Sequence, residues 1–193
     1  MKVIFLDNDG VICLSNNWGG RFKKQRKYFS KDNPRNGFGD DGPVEVRFDD
    51  FDVKAIKVLN SILEETGAEI VVSSDWRVSA TLEEIGEYYE SQGIIKKPIG
   101  YTPTSLPGNL EYFHNHFSST ELGQTRSYEI LDWLSNHPEV THWVAIDDLD
   151  MSVRNGEISG NYQWGLENFV HTPKSSEGIK QSGIKDKIIK FLK

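Results

Sequence analysis

The sequence predicts a three-layer α/β/α domain built on a parallel sheet, and three observations carry that prediction. Short apolar runs recur along the chain and end in polar residues: Val3-Ile4-Phe5-Leu6 before Asp7-Asn8-Asp9-Gly10, Ile70-Val71-Val72 before Ser73-Ser74, and Val144-Ala145-Ile146 before Asp147-Asp148. The runs are apolar at consecutive rather than alternating positions, the pattern of strands covered on both faces. Segments of helical spacing separate them, and strands alternating with helices specify parallel pairing through right-handed crossovers.

Each element follows from local chemistry. Val3 to Leu6 reads as the first strand. From Leu14 to Phe48 the pattern breaks into Gly19-Gly20, the basic run Arg21, Lys23, Lys24, Arg26 and Lys27, then Asn33-Pro34, Gly37, Gly39 and Gly42-Pro43. We read that stretch, about residues 14–48, as a basic Gly/Pro-rich flap or insertion. Val53, Ile56, Leu59, Ile62 and Leu63 recur at helical spacing and Gly67 is a natural stop, so a helix runs roughly from Asp52 to Thr66. Glu69 to Val72 forms the second strand. Thr81 with Glu84 reads as a capping box opening a helix marked by Leu82, Ile85 and Tyr89. Between Lys97 and Gly123 the prolines Pro98, Pro103 and Pro107 predict a loop region with one short strand at Ile99 to Tyr101. Arg126 is expected to open a helix that carries Ile130, Leu131 and Leu134 and ends near Pro138. Trp143 to Ile146 is a third buried strand, and a late strand at Phe169-Val170 and a helix from Lys185 to Leu192 complete the pattern.

A chain of 193 residues fits a single domain, here taken as residues 1–193 including the flap. A net charge of -7 argues against a generic nucleic-acid or membrane coat, although a local basic patch remains. Cys13 is the single cysteine, so no intramolecular disulfide forms, and its apolar surroundings mark it as a small buried filler. No apolar run has membrane-spanning length and no signal-peptide pattern opens the chain, so the expectation is a soluble, cytoplasmic protein without a membrane partner.

Parallel strands share one carboxyl edge, so Asp7 and Asp9, Ser73 and Ser74, and Asp147 and Asp148 are expected to meet in one cleft. Two residues apart on an extended chain, Asp7 and Asp9 point to opposite faces unless the strand ends between them, and Gly10 lets the backbone turn there. Carboxylates crowded in this way repel one another unless a cation neutralises them, and oxygen-only ligation points to Mg2+.

In this order the residues resemble the four motifs of the haloacid dehalogenase superfamily of phosphohydrolases. An apolar strand followed by Asp-x-Asp-Gly-Val is matched without a gap by Val3 to Val11; Ser73 ends the second motif, and Asp147-Asp148 end the fourth. The third motif, a Lys or Arg near a helix start, is best matched by Arg126, with Lys96 and Lys97 as alternatives. Ser73-Ser74-Asp75-Trp76-Arg77, together with Arg126 ahead of Glu129-Ile130 and Trp133-Leu134, is similar to a subgroup found in RNA-repair and phage proteins. The resemblance implies a Rossmann-like fold with a small flap in place of a large cap. It implies an Mg2+-dependent phosphatase working through an aspartyl phosphate on a nucleotide or nucleic-acid phosphate end. Asp7 would be the nucleophile and Asp9 the acid and base. Ser73, Ser74 and Arg126 would bind phosphate, and Asp7, Asp9 (through its carbonyl), Asp147 and Asp148 would hold the metal. Some members carry a further acid at the position occupied here by Met151; either Asp150 substitutes for it or Asp148 suffices.

Plainer readings stand beside these. Ser74 and Asp75 read as a helix-entry cap, and Arg77 either reaches substrate phosphate or pairs with a neighbouring acid. Trp76, Trp133 and Trp143 read as packing residues. His114 and His116 lack the further ligands that zinc needs. The basic run, with Phe22, Tyr28 and Phe29 interleaved, is either a solvated face or a substrate contact through Lys23, Lys24 and Lys27. A small-metabolite or phosphoprotein phosphatase, or an inactive binding module of the same fold, would use the same residues. Receiver-type switches order their acidic motifs differently.

Overall fold

The computed structural model describes residues 1–29, 42–104, 118–152 and 165–193. Among the described residues five strands form one parallel sheet: β1 (Lys2–Leu6), β2 (Glu69–Val72), β3 (Gly100–Tyr101), β4 (His142–Asp147) and β5 (Phe169–His171), in the order β3-β2-β1-β4-β5. The chain leaves β1 toward one edge through β2 and β3, then returns to the other side with β4 and β5. The strand order therefore reverses between β1 and β4, the place where open α/β sheets form a crevice. Leu6 pairs with Ile146 across that junction, which sets Asp7 and Asp147 side by side at the carboxyl edge.

The consecutive apolar residues of β1 divide between two faces. Ile4 and Leu6 join a large core with Ile70, Val72, Val144 and Ile146. Helices α3 (Val53–Thr66), α4 (Leu82–Ser91) and α6 (Ile184–Leu192) contribute Leu59, Ile85, Tyr89 and Ile188 to the same core. Val3 and Phe5 point the other way, to a smaller core with Ile130 and Trp133 of α5 (Ser119–Ser135). With both faces covered, each residue of the central strand is worth burying, which is why the sequence shows no polar alternation.

Helix ends obey their caps. Asp52 accepts from the Lys54 and Ala55 amides to open α3, and Gly67, at φ +68°, closes it. Thr81 and Glu84 form the expected capping box of α4. The expected start at Arg126 is corrected: α5 opens seven residues earlier at Ser119, where Ser118 and Glu121 form a second capping box, so Arg126 lies in mid-helix. The polar first turns of α5 hide this start from any search for apolar periodicity. Within the flap region the chain forms a 3-10 turn (Ser15–Asn17), α1 (Gly20–Tyr28) and α2 (Val44–Arg47). Asn33-Pro34, Gly37, Gly39, Pro107 and the His114/His116 pair lie outside the described residues. Among the described residues no helix is long and apolar enough to cross a membrane.

Candidate active site

The turn after β1 separates the two acids of the first motif. The Asn8 carbonyl accepts the amides of Val11, Ile12 and Cys13 at 3.3, 3.0 and 2.8 Å, and Tyr89 donates its hydroxyl to Asn8 Oδ1 at 2.6 Å. This knot ends the strand at once and sends Asp7 and Asp9 into different surroundings. Gly10 sits at φ +72°, and a Cβ there would fall 2.1 Å from Asp148 Oδ2, so only glycine lets the first and last motifs approach this closely.

Asp7, Asp147 and Asp148 each bring a carboxylate oxygen within 4.8 Å of the others. Arg126 reaches them from α5: Nη1 donates to Asp7 Oδ1 at 3.0 Å and to Asp147 Oδ2 at 2.9 Å, while Nη2 donates to Asp75 Oδ1 at 2.8 Å. Asp147 also accepts the Leu149 amide at 2.8 Å, and Asp148 accepts the Ser175 hydroxyl at 2.9 Å. Burial, and next the neighbouring Asp147, push Asp7 well above the usual carboxylate range. Asp147 and Asp148 are also raised by burial, which Arg126 opposes at Asp147 and the Ser175 bond opposes at Asp148. Burial by itself would weaken the hold of Arg126 on its proton, but Asp147, Asp7 and Asp75 outweigh it and the guanidinium stays charged. One guanidinium does not offset three clustered carboxylates. An all-oxygen donor set with surplus negative charge fits a hard divalent cation.

Asp9 faces elsewhere. Its Oδ2 accepts the indole N–H of Trp76 at 2.7 Å, and Trp76 is clamped by Phe48, stacked at 4.2 Å, and Phe51 at 5.3 Å. Burial raises the Asp9 carboxyl, and the Trp76 hydrogen bond pulls it back down. Asp9 thus stands apart from the carboxylate cluster with its side chain fixed.

Ser73 follows β2 directly, its amide bonded to the Leu6 carbonyl at 2.9 Å. The Ser73 and Ser74 hydroxyls, like Asn8 Nδ2, Thr102 Oγ1 and Thr172 Oγ1, are buried and have no hydrogen-bond partner among the described residues. These groups follow four of the five strands at the carboxyl edge. Unpaired buried hydroxyls are costly, and functional sites are where such groups are retained.

Several expectations resolve. Of the three candidate cations, Arg126 is the one at the acids. Lys96 binds Glu69 at 2.6 Å together with the Gly67 and Ala68 carbonyls at the opposite end of β2, and Lys97 pairs with Glu90. Arg77 takes the plainer of its two roles, paired with Glu129 at 2.5 Å and bonded to the Ser74 carbonyl and Thr104. The expected Ser74/Asp75 cap is corrected: the Ser74 side chain makes no cap bond, and the Asp75 carboxylate is engaged by Arg126. Met151 is buried in the smaller core, and Asp150 accepts from Ser152, outside the three-acid cluster. Burial drives the Cys13 thiol far above its usual range, which suits an inert filler. Lys24 pairs with Asp50 at 2.9 Å, while Lys23 and Lys27 are exposed on α1.

Sequence reading missed Asn8, Trp76 and Ser175. Trp76 had a signal in hand, an indole N–H set among polar residues directly after a strand. Ser175 had none, because only the tertiary fold returns the last segment to Asp148.

No curated protein and no solved structure matches this chain. Residues 3–182 match the family described as the HAD domain in Swiss Army Knife RNA repair proteins. That span takes in β1 from Val3 onward, the acids and hydroxyls described above, Arg126 and the Ser175 segment. The chain belongs to this family of haloacid dehalogenase (HAD) domains.

Proposed function

We propose that the protein is an Mg2+-dependent phosphomonoester hydrolase acting through an aspartyl phosphate, with a nucleotide or nucleic-acid phosphate end as substrate. A carboxylate oxygen of Asp7 attacks phosphorus while the bond from phosphorus to the ester oxygen breaks, and Asp9 gives that oxygen a proton. Asp9 then takes a proton from water. The water oxygen attacks phosphorus, the bond to Asp7 breaks, and inorganic phosphate leaves.

Asp7, Asp147 and Asp148, with the Asp9 carbonyl, hold Mg2+, whose charge offsets the repulsion between the carboxylate nucleophile and the anionic substrate. Ser73, Ser74 and Arg126 donate to the phosphoryl oxygens, and positioned donors of this kind contribute roughly 10²- to 10³-fold each. Lys23 and Lys27, exposed on α1, add positive charge for a polyanionic substrate, while Lys24 is paired with Asp50.

The observation that carries this reading is the division of labour within one turn. Asp7 lies against Arg126 and Asp147, while Asp9, two residues on, is held separately by Trp76. A nucleophile and a proton donor need that separation, because a shared cation would keep both deprotonated. Phosphate release from a panel of phosphorylated oligonucleotides, nucleotides, sugars and peptides is the test. We expect turnover that depends on Mg2+, favours the nucleic-acid members and is lost in Asp7→Asn. Turnover that persists in Asp7→Asn overturns the mechanism.

A further inference from the structure

The mechanism draws only on the charge of Lys23 and Lys27 in one strongly basic element and gives its leading end no task. Helix α1 carries Arg21, Lys23, Lys24, Arg26 and Lys27 and no acid, on a chain whose net charge is -7. Its leading end is tied to the catalytic turn. Asp9 bridges to Cys13, and the Cys13 carbonyl accepts the indole N–H of Trp18 at 3.1 Å. The Asp49 carboxylate accepts the Gly19 amide at 3.0 Å and the Arg21 amide at 2.5 Å. Those amides are therefore spent, and recognition at this end falls to side chains.

Three side chains there are placed against ordinary expectation. Trp18 is 48% exposed and Phe22 54%, although each has apolar surface that folding would normally bury. Arg21 lies over the Phe22 ring, 5.3 Å from its centre, and among the described residues no carboxylate pairs with it. Lys24, one turn further, is by contrast neutralised by Asp50. The positive charge of Arg21 also reaches Asp9, whose carboxyl it helps to lower. Two exposed rings, one of them under a guanidinium that no carboxylate pairs among the described residues, on a segment tied to the Asp9 turn, match the chemistry of a single-stranded nucleic acid, in which flat bases alternate with phosphates. A sugar monophosphate or a phosphorylated side chain has no second phosphate or base to reach such a platform.

We propose that Trp18, Arg21 and Phe22 form a subsite for the nucleotides next to the scissile phosphate, the rings stacking on bases and Arg21 meeting an internucleotide phosphate. The proposal rests on the hydrolase reading above but is tested apart from it. In the full chain carrying Asp7→Asn, the affinity for a fluorescein-labelled single-stranded oligonucleotide with a terminal phosphate is read by anisotropy. Trp18→Ala, Phe22→Ala and Arg21→Ala are each expected to weaken binding roughly tenfold, while Trp18→Phe, which keeps a ring, retains most of it. If Trp18→Ala fails to fold by circular dichroism, Phe22→Ala and Arg21→Ala decide, since the Phe22 ring is exposed and Arg21 is only half-buried.

In the chain with Asp7 restored, the same substitutions are expected to lower kcat/KM for the oligonucleotide more than for p-nitrophenyl phosphate. Unchanged oligonucleotide affinity, equal losses on both substrates, or equal affinity for an acidic peptide or anionic lipid vesicles overturns the subsite. Absence of phosphate release from every substrate overturns the hydrolase reading instead, and the anisotropy series still decides the subsite.

Discussion

Asp9 is held foremost by the Trp76 indole, with the Cys13 thiol as a second donor. The Trp76 indole N–H holds Asp9 Oδ2 at 2.7 Å, and the Phe48 and Phe51 rings hold the indole. Trp76→Phe keeps the stack and removes the donor. We expect kcat to fall roughly tenfold, the order of one hydrogen bond to a charged group. The direction of the pH effect also follows: the bond favours the ionised carboxyl, so its loss raises the Asp9 pKa. Asp9 acts as an acid in the first step, so the alkaline limb of the rate profile moves to higher pH, and a limb that stays put or moves down refutes this role. Gly10 is equally constrained. Gly10→Ala forces Asp148 aside and holds a β-carbon at positive φ, which costs about 1 to 2 kcal/mol in the backbone alone. Its expected signature is weakened Mg2+ binding by calorimetry together with a lower melting temperature.

Among the elements, α2 and α4 are clasped by Arg47 and Glu84. Arg47 Nη1 and Nη2 meet the two Glu84 carboxylate oxygens at 3.0 and 2.8 Å, and the same Glu84 accepts the Thr81 amide in the capping box. The Arg47 bond, and next the Thr81 amide, hold the Glu84 carboxyl below its usual range. A lowered folded-state pKa means that the unfolded chain binds the proton more readily. The stabilisation is therefore full above the unfolded value of about 4.3 and is lost as pH falls through the folded value. Glu84→Gln keeps a cap and removes the charge. Its urea midpoint is expected to lie below that of the parent at pH 7 and to meet it near pH 3; a gap that stays constant with pH would show that the clasp is not electrostatic. Helix α5 teaches a related lesson about position. Its capping box at Ser118 and Glu121 sets the phase that brings Arg126 over Asp7 and Asp147, with Glu129 one turn later against Arg77.

At the scale of the molecule, the last segment closes the site. Ser175 bonds Asp148 and its carbonyl accepts the Ser15 amide, while the Ile179 amide bonds the Val11 carbonyl at 3.0 Å. A Cβ on Gly178 would stand 2.2 Å from that Val11 carbonyl oxygen, so Gly178→Ala must push the segment off the catalytic turn. We expect a loss of roughly 2 kcal/mol or more in unfolding free energy, combining positive-φ strain with a backbone clash, and reduced turnover in the fraction that remains folded. A stability equal to that of the parent would mean that the segment does not dock as described.

The strands, α3, α4 and α6 were legible in the sequence because each depends on short-range periodicity and on caps that lie within a few residues. The acids and Ser73 were legible because a parallel sheet forces the ends of its strands to one edge. The start of α5 was hidden by polar first turns, and the engagement of Asp75, Trp76 and Ser175 was hidden because each bond spans 27 or more residues. The sequence by itself thus determined the parallel sheet and the gathering of Asp7, Asp9, Ser73, Asp147 and Asp148 at its carboxyl edge. Only the tertiary structure decided which cation faces the acids, that Asp9 is held apart by an indole, and that Arg77 is spent on Glu129. Side-chain partnership depends on packing distances of about 3 Å between segments far apart in the chain, and no local pattern encodes those.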